Sequence, residues 1–350
     1  MKAIVAESAA ASGPDRAPRP LPLREIELPL PELRPHDLLV RVEAVAVNPA
    51  DTKVRAGLAA GVPPRVLGWD AAGCVEAVGA AVSRFKPADA VMAAGDITRP
   101  GCHAQWLAVD ERITGRRPKG ASWAEAAALP LTGLTAWEAL FERLGLDADG
   151  GDAGRSLLIL GGAGGVGSLA IQLARHAGLL VLATASRPES AAWVRELGAD
   201  HVLDHSRDLA PQLAELGLDT VDRIANFADT DAYWDVMAEL IRPQGAIVAI
   251  VGNREPLDLD RLKSKSASFH WEFMFTRSRY GTPDLARQGE ILERLADRIE
   301  AGELRSTLHT QLGAITATNL ERAHALVASG RSIGKIVLQG WGEPVGADGG

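Results

Sequence analysis

Gly162, Gly164 and Gly167 stand in the spacing G-x-G-x-x-G, after an apolar run at 157–160 and before a stretch that reads as a helix over 165–177. The chemistry such a turn can do is to hold a pyrophosphate. The first glycine permits the tight turn, the second lets the backbone approach the diphosphate, and the third lets helix pack on strand. The helix end adds free N–H groups and the positive pole of its dipole. Because a second strand follows at 180–185, the turn residues Gly162, Ala163, Gly164, Gly165, Val166 and Gly167 are candidate dinucleotide contacts. The competing reading is a glycine-rich turn with no ligand.

The end of that second strand bears on which dinucleotide. An acidic residue about 20 positions past the turn would hold a ribose 2′-hydroxyl. Here the strand ends Thr184-Ala185-Ser186-Arg187, with no acid before Glu189. Ser186 can donate a hydrogen bond and Arg187 can pair with a 2′-phosphate, so NADPH is the expected cofactor. Arg187 as a solvated residue ahead of a helix is the alternative. Phe227, Val251 and Gly252 close two further strands, at the edge where open α/β sheets bind ligands.

These residues need elements to position them. Strands are predicted at 157–160, 180–185, 201–204, 221–227 and 245–251, with helices near 165–177, 189–197, 207–216 and 231–241 between them. That alternation is α/β: a doubly wound parallel sheet with right-handed crossovers. Residues 268–275 read as a sixth strand or a pocket wall. The N-terminal part is β-rich, with strands at 2–7, 38–47, 71–78, 90–94 and 104–109 and a proline-rich loop over 13–35. Its glycine punctuation suits an irregular β-barrel. Ser122 and Glu125 form a capping box opening a short helix, and 132–144 forms another. Helices near 284–301 and 317–328 and a strand at 334–339 follow.

The composition bounds the rest. At 350 residues, with 47% hydrophobic and 23% charged residues, the chain is globular and long enough for two domains. A net charge of −8 with scattered basic residues gives no nucleic-acid footprint. The apolar stretch at 3–6 is too short for a signal-peptide core, and glycines interrupt 156–174, so no membrane segment is expected. Two cysteines exclude a disulfide framework and a four-thiolate zinc site. A cytoplasmic address is the default expectation.

Several motifs in order carry a resemblance. The turn at 161–167, the closing Gly334-Lys335-Ile336-Val337-Leu338 and the β-rich first half resemble the medium-chain dehydrogenase/reductase superfamily. Asn48-Pro49-Ala50-Asp51, Leu67-Gly68-Trp69-Asp70 and Pro130-Leu131-Thr132-Gly133-Leu134-Thr135-Ala136 resemble its quinone oxidoreductase branch. The segment 270–278 resembles the narrower "zinc-type alcohol dehydrogenase-like" subgroup. The resemblance implies a discontinuous GroES-like β-barrel domain at 1–130 and 277–340, a Rossmann NADP-binding domain at 131–276 and a disordered tail at 341–350. It also implies a cofactor cleft between the domains and a homodimer paired through the sixth strand.

Residue roles follow from the same resemblance. Asn48 and Asp51 lie where the family faces the nicotinamide. Asn48 would bond ribose or substrate carbonyl, and Asp51, a candidate at the same site, would orient the loop backbone; an ordinary turn is the alternative for both. Thr135 would approach the nicotinamide, His205 would stand near the 2′-phosphate, and Lys335 would reach the cofactor phosphates. Trp69 and Trp271, with Phe273 and Phe275, suggest an aromatic-walled acceptor pocket, against core packing and a dimer contact.

Zinc-dependent relatives keep a cysteine and a His-Glu pair where this chain has Asn48 and Trp69-Asp70. Neither amide nor indole is a usual zinc ligand. Cys102 and His103 would point to opposite faces of a strand and share no ion. No metal is therefore expected. The implied activity is hydride transfer from NADPH to a quinone or other small conjugated carbonyl. The alternatives are a zinc-dependent alcohol dehydrogenase using Asp70, Asp51 or Cys102, and an NADPH-binding protein without turnover.

Overall fold

A computed structural model describes residues 1–7, 20–59 and 61–342. The chain divides into two compact units, Met1–Leu131 with Phe275–Gly350, and Thr132–Met274.

The second unit is built on a six-stranded parallel sheet. Its order is His201–Leu203, Leu180–Thr184, Ser156–Leu160, Val221–Asn226, Ile241–Ala249 and Ser268–Trp271. Ser156–Leu160 is buried at every position, as a strand covered on both faces must be. The helices Gly165–His176, Pro188–Glu196, Leu209–Glu215 and Thr230–Leu240 alternate with the strands. Leu158, Leu182, Ile224, Trp234, Met237 and Ile247 belong to one core cluster of this unit. Successive strands run outward in opposite directions from Ser156–Leu160 and Val221–Asn226. The crevice for a ligand therefore lies at their carboxyl ends.

Residues 268–275 are neither wholly strand nor wholly wall. Ser268–Trp271 adds the edge strand in parallel to Ile241–Ala249, and the chain turns after it. The helix expected over 132–144 also divides. Pro130–Trp137 is α-helical, starting at the proline, and Glu138–Arg143 continues with π-type spacing.

In the first unit, the long strand Asp37–Val47 is the hub. One side pairs with Ala71–Val78, and the other with Trp106–Asp110 and then Lys335–Gln339. Leu308–Gln311, Ala90–Ala93 and Thr114–Arg116 extend this to seven strands, and Leu23–Glu27, Lys2–Ala6 and Arg65–Val66 form a separate sheet of three. Among the described residues neither sheet closes on itself, so the barrel expected from the sequence is two open sheets. The proline-rich stretch 13–35 is not all loop. Leu23–Glu27 finds a partner in Lys2–Ala6, a pairing that local composition does not reveal, and 13–19 lie outside the described residues. Trp341, expected in a disordered tail, is held in place, its indole donating to the Val42 carbonyl at 3.0 Å; 343–350 lie outside the described residues. No described helix is long and apolar enough to cross a membrane.

The capping box holds: Ser122 N–H donates to Glu125 Oε2 at 2.8 Å and Glu125 N–H to Ser122 Oγ at 3.2 Å. A less ordinary feature lies past the edge strand. Glu272 is 2% exposed, with Arg143 Nε 2.9 Å from its carboxyl. Burial first, then the neighbouring Glu138, pushes the Glu272 carboxyl up to about 9. The folded chain thus binds a proton there that the unfolded chain releases above its ordinary carboxylate range, so stability falls as pH rises toward about 9. Between about pH 6 and pH 8 the wild type should lose about 5 °C of Tm more than Glu272→Gln. Parallel melting curves from the two proteins would refute the buried proton.

Candidate functional site

The glycine turn meets the geometry a dinucleotide requires, with one shift of role. The tight turn is made by Gly161, at φ 81°, rather than by Gly162. A Cβ on Gly162 would lie 2.9 Å from Ala183 Cβ, and one on Gly167 would lie 2.3 Å from the Gly161 carbonyl oxygen. Both are packing constraints. At Gly164 a Cβ would meet only Gly161 O, at 3.5 Å, and would stand in the space above the helix end. No side chain caps Gly165–His176 at its N-cap Gly164. Its first N–H groups are left for an anion, and Ala163, Gly165 and Val166 are only partly buried beside them.

Around this turn, Phe227 N–H donates to Leu160 O at 3.0 Å, which brings the Phe227 backbone against Gly161. Val251 is half-buried and Gly252 exposed, at the end of the neighbouring strand. Ser186 and His205 end adjacent strands, both exposed, and Ser186 Oγ lies 3.1 Å from His205 Nε2. Arg187 follows as the N-cap of Pro188–Glu196. Three residues separated by up to 19 positions thus share one strand-end cluster. Thr135 is buried in Pro130–Trp137, at 5% exposure.

In the first unit, strand register assembles a second cluster. Val47 pairs with Ile336 and Val45 with Ala71, so Asn48, Asp70 and Lys335 lie side by side at one end of three neighbouring strands. Asn48 Nδ2 donates to Asp70 Oδ2 at 2.8 Å. Lys335 Nζ donates to the same Oδ2 at 2.8 Å, to Val47 O at 3.4 Å and to Asn48 Oδ1. Leu131 N–H donates to Asp70 Oδ1 at 2.7 Å. Burial pushes the Asp70 carboxyl up, while Lys335 and these donors pull it back. Asn48, Lys335 and Leu131 all donate to its two oxygens, so the carboxyl group of Asp70 acts as an acceptor on every side.

This corrects the sequence assignment of Lys335. Its ammonium is engaged with Asn48, Asp70 and the Val47 carbonyl, so it is held inside the unit rather than extended to phosphates. Asn48 precedes the helix Pro49–Ala56, and its backbone N–H donates to Asp51 Oδ2 at 2.6 Å. An amide nitrogen carries two N–H groups, and Asp70 takes one. Asp51 Oδ1 accepts no hydrogen bond, and burial pushes the Asp51 carboxyl up to about 7.

Trp69 is 1% exposed, and its ring meets Phe275 edge to face at 6.1 Å. With Asp70, Cys102, Asp96, Arg99 and Ser278 it borders a cavity of about 330 Å³. Trp271, by contrast, is 45% exposed on the edge strand, against Phe269 at 4.9 Å. The suggested aromatic wall therefore divides between the two units.

Cys102 and His103 do not sit on a strand, which begins only at Trp106. Alternation consequently fails to separate them. Gly68, at φ 98°, is approached by both: a Cβ there would lie 2.4 Å from His103 Cδ2 and 2.9 Å from Cys102 Sγ. The thiol donates to Asp70 O at 3.2 Å, and burial raises its pKa strongly, so it stays protonated.

Comparisons with known proteins agree with this architecture. The family described as "Alcohol dehydrogenase GroES-like domain" matches residues 34–138, and "Zinc-binding dehydrogenase" matches 197–338. A zinc-type alcohol dehydrogenase-like protein of Staphylococcus aureus is 43% identical over 86% of this chain and 90% of its own. The chain belongs to the zinc-type alcohol dehydrogenase-like group of the medium-chain dehydrogenase/reductase superfamily. An NADPH-dependent alkenal/one oxidoreductase of Arabidopsis thaliana is 31% identical over 90% of this chain and 75% of its own. Among solved structures, one from Rhizobium etli described as a zinc-dependent alcohol dehydrogenase superposes with TM-score 0.91, 46% identity and coverage of 98% and 99%. A mycobacterial protein complexed with NADPH (TM-score 0.80, 27%) and the Coxiella burnetii quinone oxidoreductase (0.77, 26%) each cover 97% of this chain and 99% of their own.

The zinc in the group's name does not fit these side chains. Asn48 offers an amide, the Trp69 indole N–H donates to Asp96 O at 3.3 Å, and Asp70 already holds an ammonium. Among the described residues no group of three or more His, Cys, Asp or Glu is placed to hold a metal ion. Stability should report the buried acid at Asp51. Its raised pKa makes stability fall as pH climbs from the ordinary carboxylate range to about 7. Asp51→Asn should lessen that fall by about 3 °C of Tm. An unchanged slope would show that Asp51 is ionised throughout.

Proposed function

We propose that this chain is a zinc-independent, NADPH-dependent reductase of quinones or α,β-unsaturated carbonyls. The observation that carries the reading is the Lys335 ammonium between Asn48 and Asp70, at the positions where zinc-dependent relatives keep ligands. Oxidising a simple alcohol requires an alkoxide to be stabilised, a task suited to a Lewis acid, and these residues hold one another instead. Hydride addition to a conjugated acceptor is easier, because the arriving charge delocalises onto oxygen and a few fixed N–H donors suffice.

NADPH, when bound, supplies the hydride. The first N–H groups of Gly165–His176 would hold its pyrophosphate, and Ser186, Arg187 and His205 would hold its 2′-phosphate. The second Nδ2 proton of Asn48 would donate to the acceptor's carbonyl oxygen as charge arrives there. Trp69 supplies a flat apolar wall, and the enolate or phenolate formed takes its proton from water. The names of the Arabidopsis, Coxiella and mycobacterial proteins support the same cofactor and acceptor class.

Loss of NADPH absorbance in stopped flow, with quinones, enones and alcohols in parallel, tests this. Turnover is expected with the conjugated acceptors and not with simple alcohols. Arg187→Ala should raise KM for NADPH about tenfold or more and leave KM for NADH nearly unchanged. Alcohol oxidation abolished by a chelator would overturn the proposal. Tight NADPH binding with no turnover on any acceptor would assign the chain to storage or sensing.

The edge strand favours a homodimer. Trp271 and Phe273 are 45% and 42% exposed beside a sheet edge that no further strand covers among the described residues, an arrangement that a second copy would cover. Light scattering during size exclusion should give twice the chain mass, and Trp271→Glu should shift it toward one.

A further inference from the structure

We propose that Lys335 is a positioning residue, a built-in cation that holds the side-chain amide of Asn48 in one of its two orientations. This rests on the reading of Asn48 as the donor to the acceptor.

A carboxamide can occupy the same space in two ways, related by a half-turn that exchanges its oxygen and nitrogen. Only its partners distinguish them. An ammonium can donate and never accept, whereas a carboxylate can accept and never donate. Asn48 lies between one of each: its Oδ1 faces Lys335 Nζ, and its Nδ2 lies 2.8 Å from Asp70 Oδ2. The half-turn would set NH2 against ammonium and carbonyl against carboxylate, so both contacts would become repulsive. Water is not at hand to soften this, since Asn48, Asp70 and Lys335 are 1%, 0% and 3% exposed.

Lys335 is itself held. Its Nζ lies 2.8 Å from Asp70 Oδ2 and 3.4 Å from Val47 O, so the cation that orients Asn48 is anchored to two other groups. The second Nδ2 proton of Asn48 is thereby aimed in one direction. A zinc ion would orient its ligands by coordination; here hydrogen-bond polarity does that work from within the chain.

The test separates positioning from mere support of the fold. Lys335→Met strands a buried carboxylate, so both Tm and turnover should fall. In the double variant Lys335→Met/Asp70→Asn the buried charges are gone together, and most of the Tm should return. The new amide at position 70 keeps its oxygen for Leu131 N–H and presents NH2 to Asn48, which should then turn over. Turnover of the best acceptor should stay roughly tenfold to a hundredfold below wild type, with KM for NADPH changed by less than about twofold.

Side-chain NMR of protein labelled at its four asparagines gives a readout free of activity. The Asn48 NH2 signals should be single and slow to exchange in the wild type, and displaced in the double variant. Wild-type turnover in the double variant, an unmoved Asn48 signal, or fast exchange in the wild type would each overturn the proposal. If the wild type consumes no NADPH with any acceptor, the reductase reading fails, and the NMR still decides the role of Lys335.

Discussion

A buried ion pair between Lys335 and Asp70 is the constraint around which this end of the first unit is arranged. Such a pair costs desolvation on both sides and contributes little stability unless every remaining donor and acceptor is met. Here they are met by Leu131 N–H, Asn48 and the Val47 carbonyl. The strand register makes this possible, because Ala71–Val78, Asp37–Val47 and Lys335–Gln339 end side by side. Stability is not the evident reason for keeping the charges. An apolar pair in place of the charges would escape the desolvation cost, but it could not tell one end of the Asn48 amide from the other.

The second unit solves its problem with backbone rather than charge. Gly161 makes the turn, Gly162 and Gly167 admit close neighbours, and Gly164 leaves the helix end bare. Side chains matter only farther out, where Ser186, Arg187 and His205 gather. One unit is therefore specific through what it omits, and the other through opposed charges.

Much of this was legible in the sequence. The parallel sheet followed from apolar runs alternating with helical patterns, and the glycine spacing located the ligand crevice. The place of Ser186 and Arg187 at a strand end was visible because they sit a fixed distance past the turn. What stayed hidden was non-local. Leu23–Glu27 reads as loop because its pairing partner, not its composition, makes it a strand. Lys335 looked like a phosphate ligand because a lone lysine on a closing strand carries no sign of which acceptors its register will offer. Asp70 was legible only as a lost zinc position, and Cys102 and His103 precede the strand, where side-chain alternation does not apply.

The pairing of Lys335–Gln339 with Asp37–Val47 also sets an order of events. Lys335 lies 287 residues after Asn48 and 265 after Asp70. During synthesis the strands carrying Asn48 and Asp70 leave the ribosome long before their counter-charge exists. Until the last strand docks, the Asp70 carboxylate must stay hydrated, and that end of the sheet cannot close dry. The intervening Thr132–Met274 unit has all its strands in hand first. A polypeptide that stops short of Lys335 therefore carries every strand of the parallel sheet but leaves Asp70 without its counter-charge.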